Sequence, residues 1–126
     1  MEAYIIKGYR SAVGKAKKGG FKNYRSDDLS VEVIKYLMAS VPKIDPKSVD
    51  DVIVGCANPE GEQGLQVGRL ISARALGKEV PGITINRYCA SGLEDLSGSF
   101  KNQCRLWTYL YCRWGRKYEY DTFYGL

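Results

Sequence analysis

Apolar residues recur with two different periods along the first three quarters of the chain. Residues 3–9 hold Tyr4, Ile5, Ile6 and Tyr9, types that favour extended backbone, and predict a strand that ends in a turn-like stretch from Arg10 to Lys15. Lys15-Ala16-Lys17-Lys18-Gly19-Gly20 follows as a basic loop closed by glycine. Such a loop can cradle an anion, but it lacks the residue order of a P-loop, which favours a solvated loop. Leu29, Val33, Ile34, Leu37 and Met38 then fall on one face at helical spacing. Ser26 or Asp27 can cap that helix, and Pro42 closes it. Asp45-Pro46 starts a turn, and residues 52–57 form a short apolar run that suits a buried strand. After a loop at residues 58–62, Leu65, Arg69, Leu70, Ile71, Ala73 and Leu76 predict a second helix ended by Gly77. Residues 81–86 predict a third strand. The order βαβαβ predicts an α/β fold on a mixed or mostly parallel sheet.

Composition sharpens this picture by exclusion. A chain of 126 residues is about one small domain. Its net charge, 19 − 14 = +5, is too small by itself to argue for nucleic acid. No apolar run approaches the roughly 18 residues that span a bilayer, which speaks against a membrane partner. Met1-Glu2-Ala3-Tyr4 lacks the order of a signal peptide, so a cytoplasmic location is expected. Histidine is absent, which excludes Ser-His-Asp and Cys-His catalysis and Cys/His metal sites within the chain. Cys56, Cys89, Cys104 and Cys112 show no Cys-x-x-Cys spacing, which argues against a zinc ribbon or a thioredoxin-like site. Without a secretory signal a disulfide framework is not expected either.

The chain changes character near Glu94. Every Ala, Val, Ile, Pro and Met lies in residues 1–94; residues 95–126 have none, yet hold nine of the fifteen aromatics and both tryptophans. Ala, Val and Ile are staples of helix and strand interiors, so their loss divides the chain into two segments, 1–94 and 95–126. In the second, Arg105, Arg113, Arg116 and Lys117 lie among Trp107, Tyr109, Tyr111, Trp114, Tyr118 and Tyr120. Interleaved basic and aromatic residues could bind single-stranded nucleic acid as a small binding module, or could form an extended strand pair. No recognised nucleic-acid motif is present.

One cysteine stands in a chemically suggestive place. In Asn86-Arg87-Tyr88-Cys89-Ala90-Ser91-Gly92-Leu93-Glu94, Cys89 follows the third strand by a few residues and precedes small ones. This can set the thiol at a strand-to-helix turn near a helix N-terminus, where the helix dipole favours a thiolate. Backbone N–H groups at such a turn can stabilise an oxyanion. The bland alternative is a small buried hydrophobe, the usual lot of a free cysteine.

The same nine residues resemble the nucleophile motif of the thiolases, the acetyl-CoA C-acyltransferase and 3-ketoacyl-CoA thiolase family. Arg10-Ser11-Ala12-Val13-Gly14-Lys15, Val49-Asp50-Asp51-Val52-Ile53-Val54-Gly55 and Gln63-Gly64-Leu65-Gln66-Val67-Gly68-Arg69 are similar to further stretches of that family. Where the family usually has Thr and Pro, this chain has Ser11 and Ala12, a change in turn chemistry alone. The wording around Cys89 leans towards the degradative 3-ketoacyl-CoA thiolases. The resemblance implies the βαβαβ start of a thiolase-like N-terminal half-domain, incomplete here. It implies that Cys89 takes an acyl group from acyl-CoA as a thioester and passes it to CoA in thiolysis, or to an acetyl-CoA carbanion in a Claisen condensation. Acyl-CoA and CoA are then the partners, with CoA thioesters as substrates and no separate cofactor or metal. Family members are homodimers or homotetramers; a fragment is not expected to assemble. Their activating His and second Cys belong to a C-terminal half, and neither Cys104 nor Cys112 lies in a second-Cys motif. This chain is therefore expected to be inactive on its own.

The tail, residues 95–126, does not resemble a thiolase as written and is expected to be irregular. Back-translated and read one nucleotide later, Cys112 to Gly125 can encode Ala-Gly-Gly-Ala-Glu-Ser-Met-Ser-Met-Ile-Pro-Phe-Met-Gly, similar to the next thiolase motif. Lys101 to Arg105 can likewise encode Lys-Ile-Ser-Ala-Gly. The tail thus reads as a frameshifted, non-native translation that starts just after Glu94. With the remaining strands absent, the three predicted ones would have unpaired edges and an uncovered face, which predicts an aggregation-prone fragment.

Overall fold

The computed structural model describes residues 5–15 and 17–94 in full, and the backbone of 105–112 and 122–123. Helix α1 spans Ser26–Ser40, strand β1 Asp51–Cys56, helix α2 Val67–Ala75 and strand β2 Gly82–Ile85. Strands β3, Arg105–Cys112, and β4, Thr122–Phe123, follow. The strand order is β2-β1-β3-β4. β1 runs parallel to β2, with Ile53 opposite Ile83, and parallel to β3, with Ile53 opposite Trp107. β4 is antiparallel to β3. The expected α/β class with a mostly parallel sheet is what forms.

β1 forms the centre because it is apolar on both faces. Val52, Val54 and Cys56 are fully buried and Ile53 is 2% exposed. The alternation of a strand sends Val52, Val54 and Cys56 to one side, where they join Leu29, Val31 and Ile34 of α1 and Val67 and Ile71 of α2 in one core. Both helices therefore cover the same face of the sheet. Their helical faces differ slightly from the periodicity. In α1 Val31 is buried and Val33 is only partly so; in α2 Val67 and Ile71 face the core while Leu70 is half exposed. Leu65 lies outside α2 in a left-handed turn (φ 59°) and is 93% exposed.

The caps also differ from expectation. The N-cap of α1 is Arg25, and no side chain caps the helix. Ser26 and Asp27 sit inside the first turn, buried, because both have longer-range work. Asp27 accepts hydrogen bonds from Arg25 (3.0 and 3.1 Å) and from Arg74 of α2 (3.0 Å). Arg74 also reaches Asp28. A buried carboxylate needs such partners, and here they tie α1 to α2. Ser26 Oγ accepts from Gln63 Nε2 at 2.7 Å, while Gln63 Oε1 accepts from the Cys56 thiol at 3.2 Å. This chain of side chains joins α1 to the end of β1.

α2 lies unusually close to β2. A Cβ on Gly68 would stand 2.2 Å from the Ile83 carbonyl oxygen, and one on Gly82 would stand 2.4 Å from the Gly68 carbonyl oxygen. Only glycine permits that approach. It lets Gly68 N–H donate to Thr84 Oγ1 (2.9 Å) and Thr84 N–H donate to Gln66 Oε1 (3.2 Å), fixing the end of β2 against the start of α2.

Two expectations are corrected. The strand foreseen at residues 3–9 does not form over residues 5–9; Ile5 and Ile6 are 66% exposed, and residues 3 and 4 lie outside the described residues. The tail, foreseen as irregular, supplies β3 along the edge of β1 over Arg105–Cys112 and pairs with β4 at Tyr111–Phe123 and Cys112–Thr122, while its other residues lie outside the described residues. This is the extended strand pair that its aromatic and Thr content allows. The edge of β1 expected to be open is therefore taken.

Replacing Gly68 by Ala should lower stability by about 1–3 kcal/mol, since the methyl meets backbone rather than a movable side chain. A thermal or urea unfolding curve checks this; an unchanged midpoint would refute the close approach.

Candidate active site

Cys89 lies on the tight turn that leaves β2. The strand ends at Ile85, and residues 91–94 are helical. The thiol is exposed and thus sits at a strand-to-helix turn, as its spacing predicts, and is not the buried hydrophobe of the alternative reading.

The turn is held by its own sequence. Asn86 Oδ1 accepts from Tyr88 N–H at 2.9 Å, an Asx-type bond that starts the bend. Tyr88 then adopts φ 49°, a left-handed value that costs a residue with a side chain free energy. Ser91, fully buried, offsets this strain. Its hydroxyl accepts from Arg87 N–H at 2.9 Å and donates to the Tyr88 carbonyl at 2.7 Å, so one atom fastens both sides of the cysteine. The Arg87 guanidinium also meets Glu94 at 3.3 Å across the turn, a half-exposed pair of small energetic weight. None of these ties is visible as periodicity. Asn before a turn and Ser after it are the only sequence signals that could have found them.

The N–H groups of Ala90 and Ser91 donate to the carbonyls of Arg87 and Tyr88, both at 3.1 Å. The turn therefore uses these two donors internally.

The other candidate groups lie on other segments of the chain. Cys56 is buried at the end of β1, and burial pushes its thiol pKa up, the opposite of what a nucleophile needs. The basic loop is a turn closed by Gly19 N–H donating to the Lys15 carbonyl at 2.6 Å; Ala16 lies outside the described residues. So do Cys104 and the side chains of the basic and aromatic tail residues, including Arg105, Trp107 and Cys112, on which the nucleic-acid reading turned. Among the described residues, no three or more His, Cys, Asp or Glu side chains gather as a metal site, and no helix is long and apolar enough to cross a membrane.

The thiolase N-terminal domain matches residues 3–102. The chain belongs to the thiolase family. The match runs from the first predicted strand through the Cys89 turn and passes Glu94 by a few residues. A 3-ketoacyl-CoA thiolase of Bacillus subtilis is 46% identical over 97 residues, which cover 76% of this chain and 25% of that protein. A 3-ketoacyl-CoA thiolase of Acinetobacter baumannii is 44% identical over 96 residues, covering 75% and 24%. One of Acinetobacter baylyi matches to the same extent. This thiolase chain thus spans about a quarter of the length of those relatives.

Exposure and burial should divide the thiols. Iodoacetamide should label Cys89 in the native chain, and should label Cys56 at least about a hundredfold more slowly, only as the fold opens. Peptide mapping by mass spectrometry reads both; equal rates would contradict the placement of Cys56 in the core. A raised thiol pKa in the folded state also sets a sign. The stability it carries is complete below the ordinary thiol pKa of 9.0 and is lost as pH climbs from there towards the raised value. Replacing Cys56 by Ala should flatten that alkaline decline.

Proposed function

We propose that this chain carries the nucleophile-bearing segment of a 3-ketoacyl-CoA thiolase and that Cys89 is its acyl acceptor. The observation that carries the reading is the exposed Cys89 thiol on a braced strand-to-helix turn, within a segment 46% identical to a protein of that name. In the first half-reaction the Cys89 sulfur attacks the thioester carbonyl of an acyl-CoA. The new S–C bond forms on Cys89, the S–C bond to CoA breaks, and the proton from the cysteine leaves on the CoA thiol. In the second half-reaction, the acyl group passes to CoA in thiolysis or to an acetyl-CoA carbanion in condensation.

The first half-reaction is a thioester exchange without net redox change, and a single thiol can carry it out slowly. Turnover needs more. A general base must take the thiol proton, and another group must handle the proton on carbon. This chain has no histidine, the usual residue for such work near neutral pH. The chain alone is therefore an acyl acceptor without turnover. The completed protein would act in the cytoplasm, in fatty-acid metabolism, as the homodimer or homotetramer of its family, while this fragment stays unassembled. Residues from about 95 onward are read in a shifted frame; the abrupt loss of Ala, Val and Ile supports that reading.

Incubation with acetyl-CoA should add one acetyl group to Cys89, removable by hydroxylamine, with none on Cys56. Without a base to raise the thiolate fraction, the rate should be about 10²–10⁴-fold below that of an assisted thiol. The Cys89→Ala chain should gain no such label. Acetylation spread over several cysteines at equal rates, or thiolysis of acetoacetyl-CoA that survives Cys89→Ala, would overturn the proposal.

A further inference from the structure

The edge of β1 now held by the tail lies where a different segment belongs. A strand–helix–strand crossover between parallel strands is right-handed in nearly all proteins. β1, α2 and β2 form one such unit, stepping from β1 to β2 with α2 on the core face. α1 lies on that same face, sharing its core and ion-paired to α2 through Asp27 and Arg74 at 3.0 Å. Two successive right-handed crossovers with helices on one face must step in the same direction across the sheet. A strand that enters α1 therefore belongs on the edge of β1 opposite β2.

That edge is occupied by Arg105–Cys112, in parallel register from Asp51–Arg105 to Cys56–Leu110. The segment that enters α1, residues 5–9, has strand-forming residues yet no regular structure, with Ile5 and Ile6 left 66% exposed. It already lies along α1. The Tyr9 ring meets Tyr36 edge-on with centroids 4.9 Å apart. Residues 10–50, including α1, are longer than the dozen or so residues that a parallel crossover requires.

We propose that residues 5–9 and the tail strand at residues 105–112 are mutually exclusive occupants of one edge of β1, and that exchange between them is a conformational switch of this chain. With residues 5–9 inserted as a parallel strand, their far end points the same way as the ends of β1 and β2. Arg10 to Lys15 then arrive at the carboxyl end of the sheet, the end from which the Cys89 turn departs and where open α/β sheets bind ligands. With the tail strand inserted, residues 5–9 stay on the surface and that end of the sheet lacks them. The inference rests on strand order and crossover hand, so it holds or fails independently of the acyl-transfer reading.

Hydrogen–deuterium exchange on the full chain tests it. In the unaltered chain, amides of 105–112 should be protected and those of 5–9 should exchange freely. Tyr109→Pro removes a donor from the tail strand opposite Gly55. In that variant, residues 5–9 should gain protection of about tenfold or more while 51–56 and both helices keep theirs. Ile6→Pro should do the reverse, leaving 5–9 open and raising protection at 105–112. Failure of 5–9 to gain protection in Tyr109→Pro, or collapse of protection throughout that variant, would make the tail strand irreplaceable and overturn the proposal. So would an Ile6→Pro chain whose tail exchanges as before.

Discussion

Val52, Val54 and Cys56 lose all contact with water because two helices cover the same face of the strand that bears them. This one burial sets most of the rest. It requires α1 and α2 to lie side by side, which brings Asp27 into the interior and obliges Arg25 and Arg74 to meet it. It sets α2 against β2 closely enough that Gly68 and Gly82 admit no side chain. The end of β2 is thereby fixed, and Cys89 stands four residues beyond that end, at Ile85.

The sequence made the helices and the two inner strands legible because each has its own period and its own stop. Pro42 and Gly77 close the helices near Ser40 and Ala75. The apolar run at 52–57 becomes β1 at Asp51–Cys56, and 81–86 becomes β2 at Gly82–Ile85. What periodicity could not tell is which residues are drawn away by distant partners. Ser26 and Asp27 look like caps from their neighbours alone, yet Gln63 and Arg74, 37 and 47 residues away, claim them. Leu65 has helical spacing and still falls outside α2, since the chain turns left-handed there. Residue types at 5–9 favour extended backbone, yet no strand forms there. Their place in the sheet depends on a competition between segments about a hundred residues apart, which no local pattern records.

At the candidate site, the position of Cys89 was legible and its support was not. Spacing placed the thiol between a strand and a helix, and it stands there exposed. The bracing by Asn86 and Ser91, and the left-handed Tyr88 between them, follow from hydrogen bonds that only the folded turn reveals. A braced turn that exposes a thiol is compatible with the acyl-acceptor role proposed for Cys89.

A thiolase frame and a foreign frame are proposed to meet just after Glu94. Sequencing the encoding DNA from about codon 90 to well past codon 126 tests this most directly. The expected result is a shifted frame downstream of Glu94 that continues as a thiolase, through its histidine and second cysteine. A downstream region with no thiolase-like frame would contradict it and make residues 95–126 a genuine part of this protein.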